Sequence, residues 1–221
     1  MKLLFQTTGT AGNTELKELL GFIDADLKLK NLLPDIVTAT NDVIDLVGIE
    51  VYKKALEAYN DANIADEHKD FIYTIRYPIA VNAYRLHAPS NDLAHTNNGR
   101  KMRQDDGEKQ AFQWMIDSDN AALEKRYYRA LDDLIKFLDR SKVETENAQT
   151  LYTIWTNSEA FKATHELMIR TVKEFDTVFP INSRLLLLKL APGISDCEQY
   201  EIRPRVGDEK LTTLRIKLKS N

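Results

Sequence analysis

The chain has one cysteine, Cys197, among 221 residues. No disulfide can close within it, so a reducing compartment is expected. Basic charge is not in surplus either, with 30 Lys and Arg against 34 Asp and Glu and a net charge of −4. A dedicated nucleic-acid binder needs the opposite balance to displace counterions from phosphate, so direct nucleic-acid binding is not expected. Long apolar runs are missing. RLLLLKLAP is a short burst flanked by charge, far below the ~20 residues of a membrane span. The opening MKLLFQTTGT offers only Leu3, Leu4 and Phe5 where a secretory segment needs about 7–15 apolar residues. The expectation is a soluble, cytoplasmic chain with no membrane partner. Glycine (8) and proline (6) are scarce, which leaves few breaks for helices.

Motifs that carry chemistry are also missing. The histidines are His68, His87, His95 and His165, and none has HExxH or other metal-ligand spacing. His165-Glu166 has no second histidine at i+4. Cys197 lies between Asp196 and Glu198, whose charges raise a thiol pKa and oppose activation. No GxSxG elbow, Walker loop or dinucleotide fingerprint occurs. No catalytic, cofactor-binding or metal residue is therefore assigned, no small-molecule substrate is inferred, and a non-enzymatic chain is expected.

What is present is helical pattern. Hydrophobic residues make up 43% and charged residues 29%, enough for a core under a solvated surface. Residues 1–13 are expected to be irregular, with at most a short strand at Lys2–Gln6, and a helix is expected from Thr14 to Leu20, ended by Gly21. Pro34 opens a helix with Ile36, Ala39, Val43, Ile44 and Val47 on one face. Gly48 ends it, and a helix follows from Glu50 with Val51, Ala55, Ala58 and Tyr59 inward. The pattern then predicts a helix over 66–87, with Phe71, Ile72, Ile75, Ile79, Ala83 and Leu86 inward and a kink or restart at Pro78. A long helix from Asp106–Glu108 to Leu138 carries the stripe Phe112, Met115, Ala122, Leu123, Tyr127, Ala130, Leu131, Leu134 and Leu138. Further helices are expected over 144–155 and from Asn157 or Ser158 to Phe175, the latter with Phe161, His165, Met168, Ile169 and Val172 inward. After a short strand or extended piece, helices are expected at 193–202 and from Asp208.

Between two of the long helices lies LAHTNNGRKMRQDDGEKQAFQW. Asn98-Gly99 is a strong hairpin signal, because both residues accept positive φ. Leu93–Thr96 and Lys101–Gln104 are its expected arms. Asp105, Asp106 and Glu108 suit the positive end of the following helix and need no metal to explain them. Asn98, Arg100, Lys101 and Arg103 at the tip and second arm are the candidate contact residues, facing either solvent, another subunit or a nucleic-acid backbone. The expected fold class is thus mainly α: a multi-helix bundle with one small β-hairpin inserted between two long helices. The expected organisation is a bundle over 1–180, with the hairpin at about 90–104, and a C-terminal helical subdomain over 181–221 docked through Leu185–Leu190. IDLVGIEVYKKAL and IRPRVGDEKLTTL echo one another, as two helix–Gly–helix corners or as a duplicated unit.

Three stretches together carry a resemblance. They are LLPDIVTATNDVIDLVGIEVYKKALEAYN, the run around the NNG turn that ends QAFQWMIDSDNAALEKRYYRALDDLIKFLD, and IWTNSEAFKATHELMIRTVKEFDTVFPINSRLLLLKLAPGISDCEQYEIRPRVGDE. They resemble a poorly characterised family of Bacteroidales genomes associated with prophage-like regions, over roughly residues 30 to 210. The helical corners are also distantly similar to phage head–tail connector proteins. The resemblance implies a phage structural or assembly role, with a homo-oligomer or other virion proteins as partners, and it transfers no site residues. A second possibility is a small helical enzyme or ligand-binding protein with a pocket between helices, for which His165, Glu166 and Tyr128 are the available polar groups.

Overall fold

The structure is a computed structural model. It describes residues 2–7, 10–23, 27–61, 64, 66–97, 99–102, 111–140 and 150–219. Its contacts divide the chain into two compact units, Met1–Leu134 and Ile135–Asn221. The division falls inside a long helix.

The first unit begins with the expected irregular segment, without the short strand, and continues as α1 (Ala11–Leu20), α2 (Leu29–Val47), α3 (Ile49–Tyr59) and α4 (Asp66–Asn91). Gly21 ends α1 in the left-handed conformation, φ 69°, and its N–H donates to the Lys17 carbonyl. α2 starts five residues before Pro34, which it holds within its length. α4 runs unbroken through Pro78 and Pro89. The inward face of α4 is Phe71, Ile72, Ile75, Ile79 and Ala83, all buried, and it packs on α2 through Ile36, Ala39, Val43 and Val47. This is the i, i+3, i+4, i+7 stripe that burial of one helix face requires. The N-terminal segment closes over it: Leu4 and Phe5 are buried, and the Tyr52 hydroxyl donates to the Lys2 carbonyl at 2.9 Å. Burying such side chains contributes about 1.5–3 kcal/mol each, which ties this segment to the helices without any strand pairing.

The fold class requires correction. Regular structure among the described residues is helical, and no β layer exists, so the β-hairpin drops out of the class. What the chain has between α4 and the next helix is a short ladder of extended backbone, Leu93–Thr96 against Gly99–Met102, with Leu93 opposite Met102 and Thr96 opposite Gly99. An isolated pair of four-residue segments has no apolar face to bury and is marginal by itself. The asparagine-glycine signal reports local chain reversal, which is weaker information than a β element of the fold.

Helix α5 (Gln113–Arg140) bridges the division in sequence. Its expected start at 106–108 lies outside the described residues. Leu123, Tyr127, Ala130, Leu131, Leu134 and Leu138 of the expected stripe are buried, but Phe112 and Met115 are exposed.

The second unit takes the last residues of α5, then α6 (Leu151–Thr156), α7 (Glu159–His165), α8 (Val172–Asp176), α9 (Arg184–Cys197), α10 (Arg203–Val206) and α11 (Asp208–Lys219). Ser158 caps α7 by accepting from the Phe161 N–H. The helix does not reach Phe175. It stops at His165, and α8 restarts with its own capping box at Thr171 and Glu174. Extrapolating one period across that break misplaces the inner face: the buried residues are Thr164 and Leu167. RLLLLKLAP is helical, not extended, and buries Leu185 and Leu187 while leaving Leu186 and Leu190 exposed. Glu198–Ile202 is a π-helical turn between α9 and α10.

Candidate interaction surfaces

The residues singled out for contact are only partly described. Arg100 and Lys101 lie in the ladder, with backbones opposite His95 and Ala94. Asn98 and Arg103 lie outside the described residues, as do Asp105, Asp106 and Glu108.

The polar groups of the first unit are engaged with one another. Glu15 accepts from the Tyr59 hydroxyl at 2.7 Å and from the Gln6 N–H at 3.1 Å. Arg76 brings Nη2 to 2.8 Å from the same carboxylate, a charge contact without hydrogen-bond alignment. Its guanidinium also lies over Phe5 and Tyr59, 4.8 and 5.0 Å from the ring centroids. Burial and the Glu15 carboxylate together push the Tyr59 pKa well above that of an ordinary phenol. This cluster fastens the N-terminal segment, α1, α3 and α4 together. Beside it opens a pocket of about 250 Å³ lined by Leu19, Ile64, Ile72 and Tyr73, with Glu18 and Lys69 at its polar edge. That is smaller than the roughly 300–1,000 Å³ of most ligand sites.

A second cluster joins α2, α4 and α5. Asn82 donates to Asp42 at 2.8 Å, Arg85 donates to Asn82, and the Arg85 guanidinium lies over Tyr127. Burial pushes the Tyr127 pKa up to about 12, with the Asp42 charge adding to it. His87 pairs with Asp35 at 3.3 Å.

In the second unit Asp139 accepts from Trp155 Nε1 at 2.8 Å and Arg184 Nε at 3.0 Å, and Arg184 Nη2 donates to Thr164 at 2.8 Å. Glu198 is 2% exposed; it accepts from the Met168 N–H at 2.6 Å and from Arg215 at 2.7 Å. These pairings hold side chains in place. The histidine-glutamate pair is unremarkable: His165 stacks on Phe161 at 4.8 Å, and both it and Glu166 are exposed. Tyr128 packs beside Tyr127 in the first unit. Cys197 is exposed. Among the described residues no three His, Cys, Asp or Glu side chains gather as a metal would require, and no helix is long and apolar enough to cross a membrane.

Exposed apolar side chains are the feature that the stripe analysis missed. Phe112 and Trp114 at the start of α5 are 69% and 67% exposed, and Val178 and Phe179 after α8 are 85% and 65% exposed. The latter pair stands on a fixed loop. Asp176 Oδ1 accepts from the N–H groups of Ile181 and Asn182, and the Phe175 carbonyl accepts from those of Val178 and Phe179. They lie beyond the expected helix, which ends at Phe175, in a loop that no helical periodicity describes.

No curated protein and no solved structure matches this chain. A family model described as a family of unknown function does match, over residues 43–164, from the end of α2 through α7. That span is more than half of the chain, and the chain therefore belongs to the family of unknown function DUF6712.

Proposed function

We propose that this chain is a non-enzymatic structural or assembly protein of a phage or prophage particle. Its concrete form is a head–tail connector, or neck, component that self-associates. The observation that carries the reading is the loop bearing Val178 and Phe179. Two large apolar side chains are held in solvent by a turn in which four backbone N–H groups are bonded, two to Asp176 Oδ1 and two to the Phe175 carbonyl. A rigid exposed apolar projection costs free energy alone and gains it on meeting a partner. The resemblance to prophage-associated proteins supplies the setting, and the commitment of the buried charges to structural pairs favours assembly over catalysis. On this reading the chain is cytoplasmic before assembly and part of the virion after it.

Native mass spectrometry and sedimentation of the full chain across a concentration series test this. Oligomers are expected, and Val178→Ser/Phe179→Ser is expected to weaken them. A strict monomer at high concentration, with no assembly on adding a portal protein, sinks the proposal. The small pocket beside Arg76 favours a second reading, a helical ligand-binding protein; a co-purified small molecule lost on Tyr73→Ala substitution would support it.

A further inference from the structure

We propose that the exposed first turns of α5 in one copy of this chain dock against an exposed stripe of α11 in a second copy. This rests on the self-association reading above and adds a contact distinct from the one at Val178 and Phe179.

From Ala111 to Ala122 no residue is buried. The helical part of this stretch is about 15 Å long at 1.5 Å per residue. Phe112, Trp114 and Met115 stand out from it. Its charged residues are Asp117 and Asp119, with no basic residue. Trp114 and Asp117 are three apart, and Met115 and Asp119 four apart, so each apolar group shares a face with a carboxylate.

α11 is built the opposite way. Its inner face is fixed by buried Leu211 and by the Arg215 pair with Glu198. An exposed stripe beside that face carries Lys210, Leu214 and Lys217 at i, i+4 and i+7. Its acids, Asp208 and Glu209, are confined to the first turn, where Asp208 is paired with Arg203. Twelve residues make α11 about 18 Å long, a match for the exposed part of α5. One helix thus offers apolar groups among carboxylates, and the other offers an apolar group between ammonium groups.

Two different surfaces meet in this contact, so it can repeat from copy to copy and build species larger than a dimer. A seam between two three-turn helices covers less than the roughly 1,200–2,000 Å² of a stable interface. Association through it is therefore concentration-dependent and weakened by salt.

Sedimentation velocity of the full chain, at low and high salt, provides the test. Asp117→Lys/Asp119→Lys and Lys210→Glu/Lys217→Glu change only exposed side chains, and circular dichroism verifies that each variant folds. Each alone is expected to raise the apparent Kd about tenfold or more, as attraction becomes repulsion at two positions. An equimolar mixture of the two is expected to regain association, because opposite charges again face each other. Self-association unaffected by either reversal, or not restored by mixing, overturns this interface and leaves the self-association reading standing. A monomeric parent chain overturns both.

Discussion

Gly48 and Gly207 hold the same backbone conformation, φ 90° with ψ 150° and φ 82° with ψ 157°. Each ends one helix and begins the next. The Gly48 N–H donates to the Ile44 carbonyl and the Gly207 N–H to that of Arg203, while their carbonyls accept from Tyr52 and Leu211 in the following helix. This φ/ψ region is essentially closed to residues with a Cβ. The echo between IDLVGIEVYKKAL and IRPRVGDEKLTTL is therefore accounted for by one corner geometry used twice. Gly48→Ala and Gly207→Ala are each expected to cost about 1–3 kcal/mol. Thermal unfolding of the two variants checks this, and an unchanged midpoint in either would refute the strain.

Two further glycines separate space from conformation. A Cβ on Gly12 would clash with the Gln6 carbonyl oxygen, which is backbone and can move only with its whole segment. Gly193, inside α9, has nothing within 4 Å of that position and no positive φ. Gly12→Ala is expected to displace the N-terminal segment and lower stability. Gly193→Ala is expected to stabilise by about 0.5–1 kcal/mol, the usual gain in a helix interior. Chemical denaturation of both variants measures the contrast, and the same sign of change in both would contradict it.

Glu198 ties the end of the chain to the segment between α7 and α8. Glu198→Ala leaves the Met168 N–H and the Arg215 guanidinium without their acceptor. Breaking a buried pair costs about 3–5 kcal/mol. The low end is expected, because the Arg215 side chain is 34% exposed and can rehydrate. Glu198→Gln keeps an acceptor for the amide and should cost less. Unfolding monitored in the second unit distinguishes them; equal stability of both variants with the parent would show that the tether carries no load.

These pairings explain what could and could not be seen in the chain alone. The faces of α2, α3 and α4 were legible, since burying one side of a helix leaves a period of 3.6 in the apolar residues. Gly21, Gly48 and Ser158 were legible because caps have short-range chemistry. Glu198 with Arg215, Asp139 with Arg184 and Glu15 with Arg76 were not. An ion pair between distant elements leaves no periodic mark, and each partner looks like any other surface charge. The break after His165 was hidden for a related reason: the apolar residues continue at helical spacing, while Glu174 and Glu198 draw the Arg170 and Met168 N–H groups out of the helix. The exposed apolar loop at Val178 and Phe179 lies past the expected helix end at Phe175 and carries no periodic signal of its own.

The same turn predicts a dependence on pH. Glu174 Oε2 accepts from the N–H groups of Arg170 and Thr171 at 2.8 and 3.0 Å, and the Glu174 N–H donates to Thr171 Oγ1 at 3.2 Å. Burial alone would raise the Glu174 pKa. The two backbone donors, the Thr171 side chain and the nearby Arg170 charge outweigh burial and hold it below the ordinary value of 4.5. A carboxyl lowered in the folded state stabilises the fold above its unfolded pKa, and that contribution is lost as pH falls through the folded pKa. Glu174→Gln removes the titration. Its stability is expected to be lower than the parent's near neutrality and to fall less steeply on acidification below about pH 4.5. Thr171→Ala removes the other half of the box and should cost about 1 kcal/mol at neutral pH. Thermal midpoints of the three chains across a pH series check both statements; parallel curves for the parent and Glu174→Gln would rule out the carboxylate as the source.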